Sequence, residues 1–292
     1  MDYRLAAVLE LLELEQLEVN LFRGNSRDVG SPQVFGGQVL GQALKAAYGT
    51  VDPNRFAHSL HAYFLSRGDF NAPIVYSVDR ARDGRSFTSR RVIAIQHGEQ
   101  IFNMAASFQV PQPGVEHQLS MPIVPGPEGL PAVAARSDDM PSHLSERQRH
   151  YFAHEWPFEF RMVPWDAADA VPGGAPERYV WLRAVDKLPD SDVLHRCLLA
   201  YVSDLQLLAT ATLPHVMAGN SAAVVLASID HAMWFHRPLR VDQWFLHAIQ
   251  SPSASGARGF ARASIFSRDG ALVASTAQEG LMRIGAHQQS RG

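Results

Sequence analysis

The feature that most constrains this fold is an internal repeat whose two copies lie more than a hundred residues apart. Residues 58–64, HSLHAYF, resemble residues 228–234, SIDHAMW, and the similarity continues downstream from residues 85–87 to residues 258–260. Repeats of roughly 20–50 residues are typical of solenoids, whereas this spacing is the size of a small domain. The 292-residue chain is therefore predicted to contain two copies of one small fold.

Both copies show the same order of elements, which is a short strand, a helix and then three or four long strands. The short strands are predicted at residues 17–22 and 158–162, and the helices at residues 36–48 and about 192–212. The long strands are rich in β-branched or alternating residues, and dipeptides that favour tight hairpins join them, such as Asp83-Gly84 and Asp269-Gly270.

The two predicted helices are apolar on nearly every side, which indicates that they are buried. A buried helix wrapped by a long antiparallel sheet, twice over, is an α+β architecture. We assign an N-terminal unit to residues 1–112, a proline-rich linker to residues 113–150 and a C-terminal unit to residues 151–286.

The composition argues against several classes of protein. A formal net charge of −3 does not suit a nucleic-acid surface, which needs a concentrated basic footprint. The single cysteine, Cys197, rules out an intrachain disulfide and fits a reducing compartment. No stretch approaches the ~20 consecutive apolar residues of a membrane span, and the N-terminal region lacks the pattern of a secretory signal. The last residues match no peroxisomal or ER-retention signal, so the cytoplasm is the expected location.

Common catalytic and metal-binding motifs do not occur in the sequence. It contains no G-x-S-x-G elbow, no G-x-G-x-x-G sequence and no Walker loop. His58 and His61 are three residues apart, a spacing that can share a metal on a helix, but on the predicted strand they point to opposite faces. We therefore expect no metal and no cofactor.

Three polar residues in the second copy stand out against apolar surroundings. Asp204 is expected inside the second helix, on a buried face, where a carboxylate is costly unless it is hydrogen-bonded or its pKa rises. Ser228 is expected at the start of the strand 228–234, and Gln278 within the last strand. Each residue alone also fits a structural role, as a carboxylate bonded to nearby backbone groups or as an ordinary polar residue of a strand.

Comparison of the two copies favours a functional role for these three residues. His58 aligns with Ser228, the segment 36–38 falls roughly opposite Asp204, and small residues near Ala106 fall opposite Gln278. The three polar groups therefore occur together in the second copy alone. This asymmetry predicts one active site per chain.

The chain resembles the type II acyl-CoA thioesterases, which are double-hotdog enzymes. The motifs that carry the resemblance are residues 58–65, 82–87 and 107–109 in the first copy and residues 204–205, 228–238 and 274–280 in the second. The resemblance implies a tandem hotdog fold, hydrolysis of fatty acyl-CoA without a cofactor, and a catalytic trio at Asp204, Ser228 and Gln278. It also implies a homo-oligomer, either a dimer or a tetramer. Some members have threonine in place of Ser228, which keeps the hydroxyl, and tyrosine in place of His247, which affects the shape of the pocket.

The expected mechanism is direct attack by water, with Asp204 as general base and with Ser228 and Gln278 holding the water. Backbone N–H groups near a helix N-terminus would stabilise the oxyanion. A covalent mechanism through Ser228 needs a base, and His231 is expected on the opposite face of the strand. The alternatives from other classes are an enoyl-CoA hydratase or dehydratase that pairs His231 with Asp230, and a non-catalytic acyl-CoA binding protein.

Strand arginines are candidates for binding the phosphates of CoA, although such residues more often lie on a solvated face. The five candidates are Arg85, Arg90, Arg91, Arg258 and Arg262.

Overall fold

A computed structural model describes residues 1–133, 146–164, 175–217 and 224–284. The helices are α1 (Tyr3–Leu12), α2 (Gly36–Tyr48), α3 (Glu146–Ala153), α4 (Asp192–Ser203) and α5 (Leu213–Met217). The strands of the N-terminal half are β1 (Glu15–Glu18), β2 (Leu21–Gly24), β3 (Phe56–Phe64), β4 (Ile74–Asp83), β5 (Phe87–Gln96) and β6 (Glu99–Gln109). Those that follow are β7 (Phe158–Met162), β8 (Glu177–Ala184), β9 (Val224–Ser228), β10 (Asp230–Phe235), β11 (Phe245–Ser255), β12 (Arg258–Ser267) and β13 (Leu272–Ile284). Residues 134–145 of the predicted linker and the last two residues of the predicted C-terminal unit lie outside the described residues.

The described strands form one antiparallel sheet in the order β1-β2-β4-β5-β6-β3-β10-β13-β12-β11-β8-β7, and β9 pairs with the end of β13. Strands β3 and β10 pair at the centre, where Leu60 lies opposite Met233, so the two halves share a continuous sheet. Each half has one central helix followed by a series of antiparallel strands, β3–β6 in the first half and β10–β13 in the second, as the repeat predicted. Strand β8, which precedes α4, was not predicted. The α+β architecture, with a long antiparallel sheet around a buried helix in each half, is therefore confirmed.

Helices α2 and α4 pack against each other in antiparallel directions, and two glycines of α2 make the close approach possible. A Cβ atom on Gly37 would overlap the carbonyl oxygen of Tyr201, and one on Gly41 would lie 3.1 Å from the carbonyl oxygen of Cys197. Ten of the 13 residues of α2 and eight of the 12 of α4 are buried and the others are only partly exposed, which confirms that both helices lie in the interior. The packing brings the N-terminus of α2 to the C-terminus of α4.

Three element boundaries differ from the predictions. Helix α4 ends at Ser203 and not near residue 212, because Gln206 adopts a left-handed φ of 67° that a right-handed helix cannot contain. A short 3₁₀ helix, Leu208–Thr212, follows. The predicted strand 228–234 is divided at Ile229, where β9 ends and β10 begins. The predicted first strand is a hairpin of two short strands, β1 and β2.

The segment that follows β6 runs along the C-terminal half of the sheet. The indole N–H of Trp181 donates to the carbonyl of Pro125 at 2.9 Å, and Leu130 packs with Trp181, Leu246 and Phe266. The proline-rich stretch thus covers apolar side chains of the C-terminal half. Helix α3 spans the predicted boundary at residue 150 between the linker and the C-terminal unit.

One stretch, Asp192–His215, is long and apolar enough to cross a membrane by length and composition. It contains α4, and 67% of its most apolar window is buried inside the protein. Its hydrophobicity is that of a core helix.

Candidate active site

The structure brings Asp204, Ser228 and Gln278 together, although they are far apart in the sequence. The side-chain Nε2 of Gln278 donates to Asp204 Oδ1 at 2.6 Å and to Ser228 Oγ at 3.0 Å. Because a carboxylate accepts hydrogen bonds and cannot donate, the contact with Asp204 sets which end of the Gln278 carboxamide faces it. The three groups form one connected polar cluster.

Each residue of the cluster is held by a different element. Asp204 is the C-cap of α4, one residue beyond the helix and not inside it as predicted. Ser228 is the last residue of β9, not the first of a strand, and it pairs with Gly280 of β13. Gln278 lies within β13, as predicted, opposite Ala261 of β12, and its side chain is fully buried.

The N-terminus of α2 completes the surroundings of Asp204. The backbone N–H of Gly37 donates to the Asp204 carboxylate, whereas the N-cap residue of α2, Phe35, makes no side-chain capping bond. A carboxylate at a helix N-terminus is stabilised by the unpaired N–H groups and by the helix dipole. Asp204 of the C-terminal half therefore caps a helix of the N-terminal half, and the site is built from both.

This arrangement corrects one correspondence drawn from the repeat. Residues 36–38 were aligned with Asp204, but α2 ends at Tyr48 as α4 ends at Ser203, so Gly49 occupies the position equivalent to Asp204. The glycines at the start of α2 are instead neighbours of Asp204 in space. A Cβ on Gly36 would lie 2.7 Å from Asp204 Oδ2, which explains the need for glycine there.

Burial is the main influence on the acidity of Asp204. Its side chain is 7% exposed, and desolvation raises the pKa of the carboxyl above its ordinary value. Hydrogen bonds from Gln278, Gly37 and Ser228 oppose this by stabilising the anion. A carboxylate held in this way is a stronger base than an exposed aspartate.

A small cavity of about 50 Å³ adjoins the cluster. Ser228 contributes to its wall, and the remaining lining comes from the N-terminal half, including Gly36, Val39, Phe64 and Phe102. A polar cavity of roughly 10–15 Å³ already holds one water molecule. The cavity therefore has room for a reacting water beside the Ser228 hydroxyl and the start of α2.

His231 and Ser203 also belong to this site. The sequence considered His231 only for the rival reactions and did not point to Ser203. The Nδ1 atom of His231 lies 3.4 Å from Gln278 Nε2 and 3.9 Å from Asp204 Oδ1, while its Nε2 lies 3.0 Å from Ser203 Oγ. Strand alternation counted from Ser228 had placed His231 on the opposite face. The interruption at Ile229 changes the alternation, and no local sequence signal marks it.

The other histidines and the candidate arginines have separate roles. His58 Nε2 lies 2.8 Å from Ser107 Oγ, and the ring of His61 packs edge-on against Trp234. Among the described residues no group of three potential metal ligands occurs.

Arg90 is 2% exposed and bonds Thr50, Asp83 and backbone carbonyls, so it cannot reach a CoA phosphate. Arg258 pairs with Glu279, and Arg262 donates to Gln250. Arg85 and Arg91 are exposed.

Comparisons with known proteins agree with this fold. A family model described as acyl-CoA thioesterase matches residues 147–281, and a second, described as acyl-CoA thioesterase N-terminal domain, matches residues 24–109. Acyl-CoA thioesterase 2 of Haemophilus influenzae is 43% identical over 281 residues, which cover 95% of this chain and 97% of that protein. Human acyl-coenzyme A thioesterase 8 is 39% identical over 291 residues, 97% of this chain and 91% of that protein.

Solved structures extend the comparison to three dimensions. An acyl-CoA thioesterase II from Mycobacterium marinum superposes with a TM-score of 0.81 at 45% identity, covering 96% of this chain and 99% of that chain. A protein with a hot dog fold from Alicyclobacillus acidocaldarius superposes with a TM-score of 0.73 at 21% identity, covering 96% and 98%, which shows the fold alone. The predicted double-hotdog fold is thereby confirmed. Both halves match family models, and the chain is 43% identical to a known acyl-CoA thioesterase over 95% of its length. This chain therefore belongs to the acyl-CoA thioesterase family.

Proposed function

We propose that this protein hydrolyses fatty acyl-CoA to a free fatty acid and CoA, and that Asp204 activates the attacking water. The observation that carries the proposal is the Asp204 carboxylate, which is buried, bonded to Gln278 and Gly37, and close to a cavity large enough for a water molecule. A general base of this kind contributes on the order of 10²–10⁴-fold to the rate. Family membership supports the substrate class.

The reaction proceeds in two steps. Asp204 takes a proton from the water as the water oxygen bonds to the thioester carbon, and the carbonyl electron pair moves onto the carbonyl oxygen. The tetrahedral intermediate then collapses, the C–S bond breaks and CoA leaves as a thiolate. Because an ordinary thiol has a pKa of about 8.5, the leaving group needs no strong acid. Ser228 and Gln278 hold the water in line with the carbonyl carbon.

The N-terminus of α2 supplies the stabilisation of the oxyanion. Gly36 lies at the cavity and at the positive end of the helix dipole, and its lack of a side chain leaves the backbone accessible. Preorganised backbone N–H groups at such a position stabilise the charge that develops on the carbonyl oxygen.

Three alternatives to direct water attack predict different experimental results. A covalent mechanism needs a base in contact with Ser228, and Asp204, which the Ser228 hydroxyl hydrogen-bonds, would have to act on that hydroxyl and not on water. An acyl group trapped on Ser228 of the parent protein would overturn direct water attack. A hydratase would convert an enoyl-CoA without releasing thiol, and a binding protein would bind acyl-CoA without turnover.

The decisive experiment measures thiol release from acyl-CoAs of increasing chain length by the parent protein and by Asp204→Asn. We expect turnover by the parent and a loss of at least about 100-fold in kcat for the variant. Asp242→Asn is the matched control, because Asp242 is a buried carboxylate that pairs with Arg240 away from the cavity. No release from any substrate would refute the reaction, and equal release by Asp204→Asn would refute the base.

Two further properties belong to the proposal. Tyr63 and Trp234 expose 54% and 37% of their surface on the outer face of the central strands, which supports association of copies of this chain into a dimer or tetramer. Sedimentation as a monomer at micromolar concentration would contradict this. The single cysteine, Cys197, is buried and free, which supports a cytoplasmic location, and cell fractionation tests it. The net charge of −3 supports a protein that does not bind nucleic acid.

A further inference from the structure

A buried pair of polar residues, Ser203 and His231, lies directly behind the Asp204–Gln278 contact. His231 is on β10, is fully buried, and lies 3.0 Å from the hydroxyl of Ser203, the last residue of α4. The proposed reaction assigns no chemistry to either residue. A buried histidine so close to the general base needs an explanation, because its two ring nitrogens can act on the carboxylate in opposite ways.

The hydrogen bonds of Ser203 decide which ring nitrogen of His231 carries the proton. Ser203 has one hydroxyl hydrogen, which it donates to the carbonyl of Ala200 at 2.9 Å. Its oxygen therefore accepts from His231 Nε2, so the neutral ring is protonated at Nε2. The other nitrogen, Nδ1, carries a lone pair, and it faces Gln278 Nε2 at 3.4 Å and Asp204 Oδ1 at 3.9 Å.

We propose that Ser203 and His231 are positioning residues. Ser203 holds His231 as the Nε2–H tautomer. The Nδ1 lone pair of His231 then orients the Gln278 carboxamide and leaves Asp204 strongly basic. The inference rests on the proposed role of Asp204. It adds a reason why the base keeps its strength in a site that also contains an imidazole.

The geometry shows what the lone pair accomplishes. Gln278 Nε2 has two hydrogens and three acceptors within reach, which are Asp204 Oδ1, Ser228 Oγ and His231 Nδ1. When a water enters between Asp204 and Ser228, one of these hydrogens loses its acceptor, and His231 Nδ1 can accept it. The amide then stays in place without rotating its oxygen towards the carboxylate.

The opposite tautomer would weaken the base. A proton on Nδ1 would point towards Asp204 Oδ1 and would stabilise the anion, so the carboxylate would take a proton from water less readily. A proton on Nδ1 would also point at the side-chain N–H groups of Gln278 and repel them. Each effect lowers kcat, and the first also lowers the pKa of Asp204.

At neutral pH the His231 ring carries no charge, so only its tautomer can change the basicity of Asp204. Burial and the neighbouring His247 of β11 lower the pKa of His231 to about 3, so the ring is neutral. Tyr201 of α4 and Tyr151 of α3 have pKa values raised by burial and are neutral too. Asp230, beside His231 in β10, accepts from the backbone N–H of Glu279.

The experiment compares the parent protein with Ser203→Ala and with the matched control Ser251→Ala. Ser251 is also buried and also donates to a backbone carbonyl, that of Phe260, but it is not bonded to a histidine. Nitrogen-15 NMR of the histidine rings, with His231→Gln to assign the signal, reads the tautomer. Steady-state kinetics across pH measure kcat, KM and the acidic limb of the profile of kcat against pH.

We expect the Nε2–H tautomer in the parent and a shift towards Nδ1–H in Ser203→Ala. We also expect a loss in kcat of roughly 10–100-fold with little change in KM, as for misplacement of a catalytic group. The acidic limb should move to lower pH in Ser203→Ala and stay in place in Ser251→Ala, and Ser203→Thr should restore both.

An Nδ1–H tautomer in the parent would overturn the inference, and this measurement needs no variant to fold. An unshifted acidic limb in folded Ser203→Ala, or an equal kcat loss in Ser251→Ala, would overturn it as well. Failure of the proposed function is distinguishable, because it would show as no thiol release by the parent protein, or as undiminished release by Asp204→Asn, whatever the tautomer of His231.

Discussion

The requirement for glycine at the start of α2 leads to a quantitative prediction for Gly36→Ala. The added Cβ would lie 2.7 Å from Asp204 Oδ2 and 3.1 Å from the ring of Phe64. The first distance is about 0.7 Å short of ordinary van der Waals contact. Because Phe64 blocks movement of the methyl group away from Asp204, the carboxylate has to move by several tenths of an ångström.

The expected effect on activity follows from that displacement. A misplacement of about 1 Å costs on the order of 100-fold in rate, so a shift of this size should lower kcat by roughly 10–50-fold. The effect on stability should be small, because alanine favours a helix over glycine by about 1 kcal/mol while overpacking costs about 1–3 kcal/mol.

The assay is thiol release by the parent protein and by Gly36→Ala, with the free energy of unfolding measured for both. Gly129→Ala is the control for the substitution, because a Cβ there meets no atom within 4 Å. Unchanged kcat in a folded Gly36→Ala protein would refute the argument that Asp204 must sit against the N-terminus of α2. A loss of more than about 5 kcal/mol in stability would refute the local nature of the clash.

Two further predictions concern a buried neutral histidine, His247, and a buried arginine, Arg90. Burial lowers the pKa of His247 to about 3, so its neutral form stabilises the protein above pH 6.5, and this contribution is lost as the pH falls from 6.5 towards 3. His247→Phe should therefore flatten the acid side of the unfolding free energy against pH, by about 3 kcal/mol at pH 4.5, and a curve parallel to that of the parent would contradict this. Arg90→Met should cost about 2–4 kcal/mol, since Thr50 and several carbonyls lose a buried donor. The KM for acyl-CoA should stay unchanged in this variant, and a raised KM would restore the phosphate role that the structure denies to Arg90.

Much of the fold follows from local patterns in the sequence. The bounds of α2 agree with the predicted residues 36–48, and β7 agrees with residues 158–162, because periodicity and turn residues act over short distances. The duplication also follows from the sequence, since the two copies retain visible similarity. Asp204, Ser228 and Gln278 could be selected because each is polar where its surroundings are apolar, and because they lie in one copy.

The tertiary structure alone decided how those residues meet. Helix α4 ends at Ser203, before the left-handed Gln206, and at the interruption the backbone N–H of Ile229 donates to Glu279 of β13. No local pattern encodes either feature. Helix α2 could be recognised from its own residues, but its N-terminus meets Asp204 only because the glycines at 37 and 41 let two helices far apart in the chain pack closely. The position of His231 in the site was also decided by the tertiary structure, because burial and long-range packing set the direction of its side chain where strand alternation is broken.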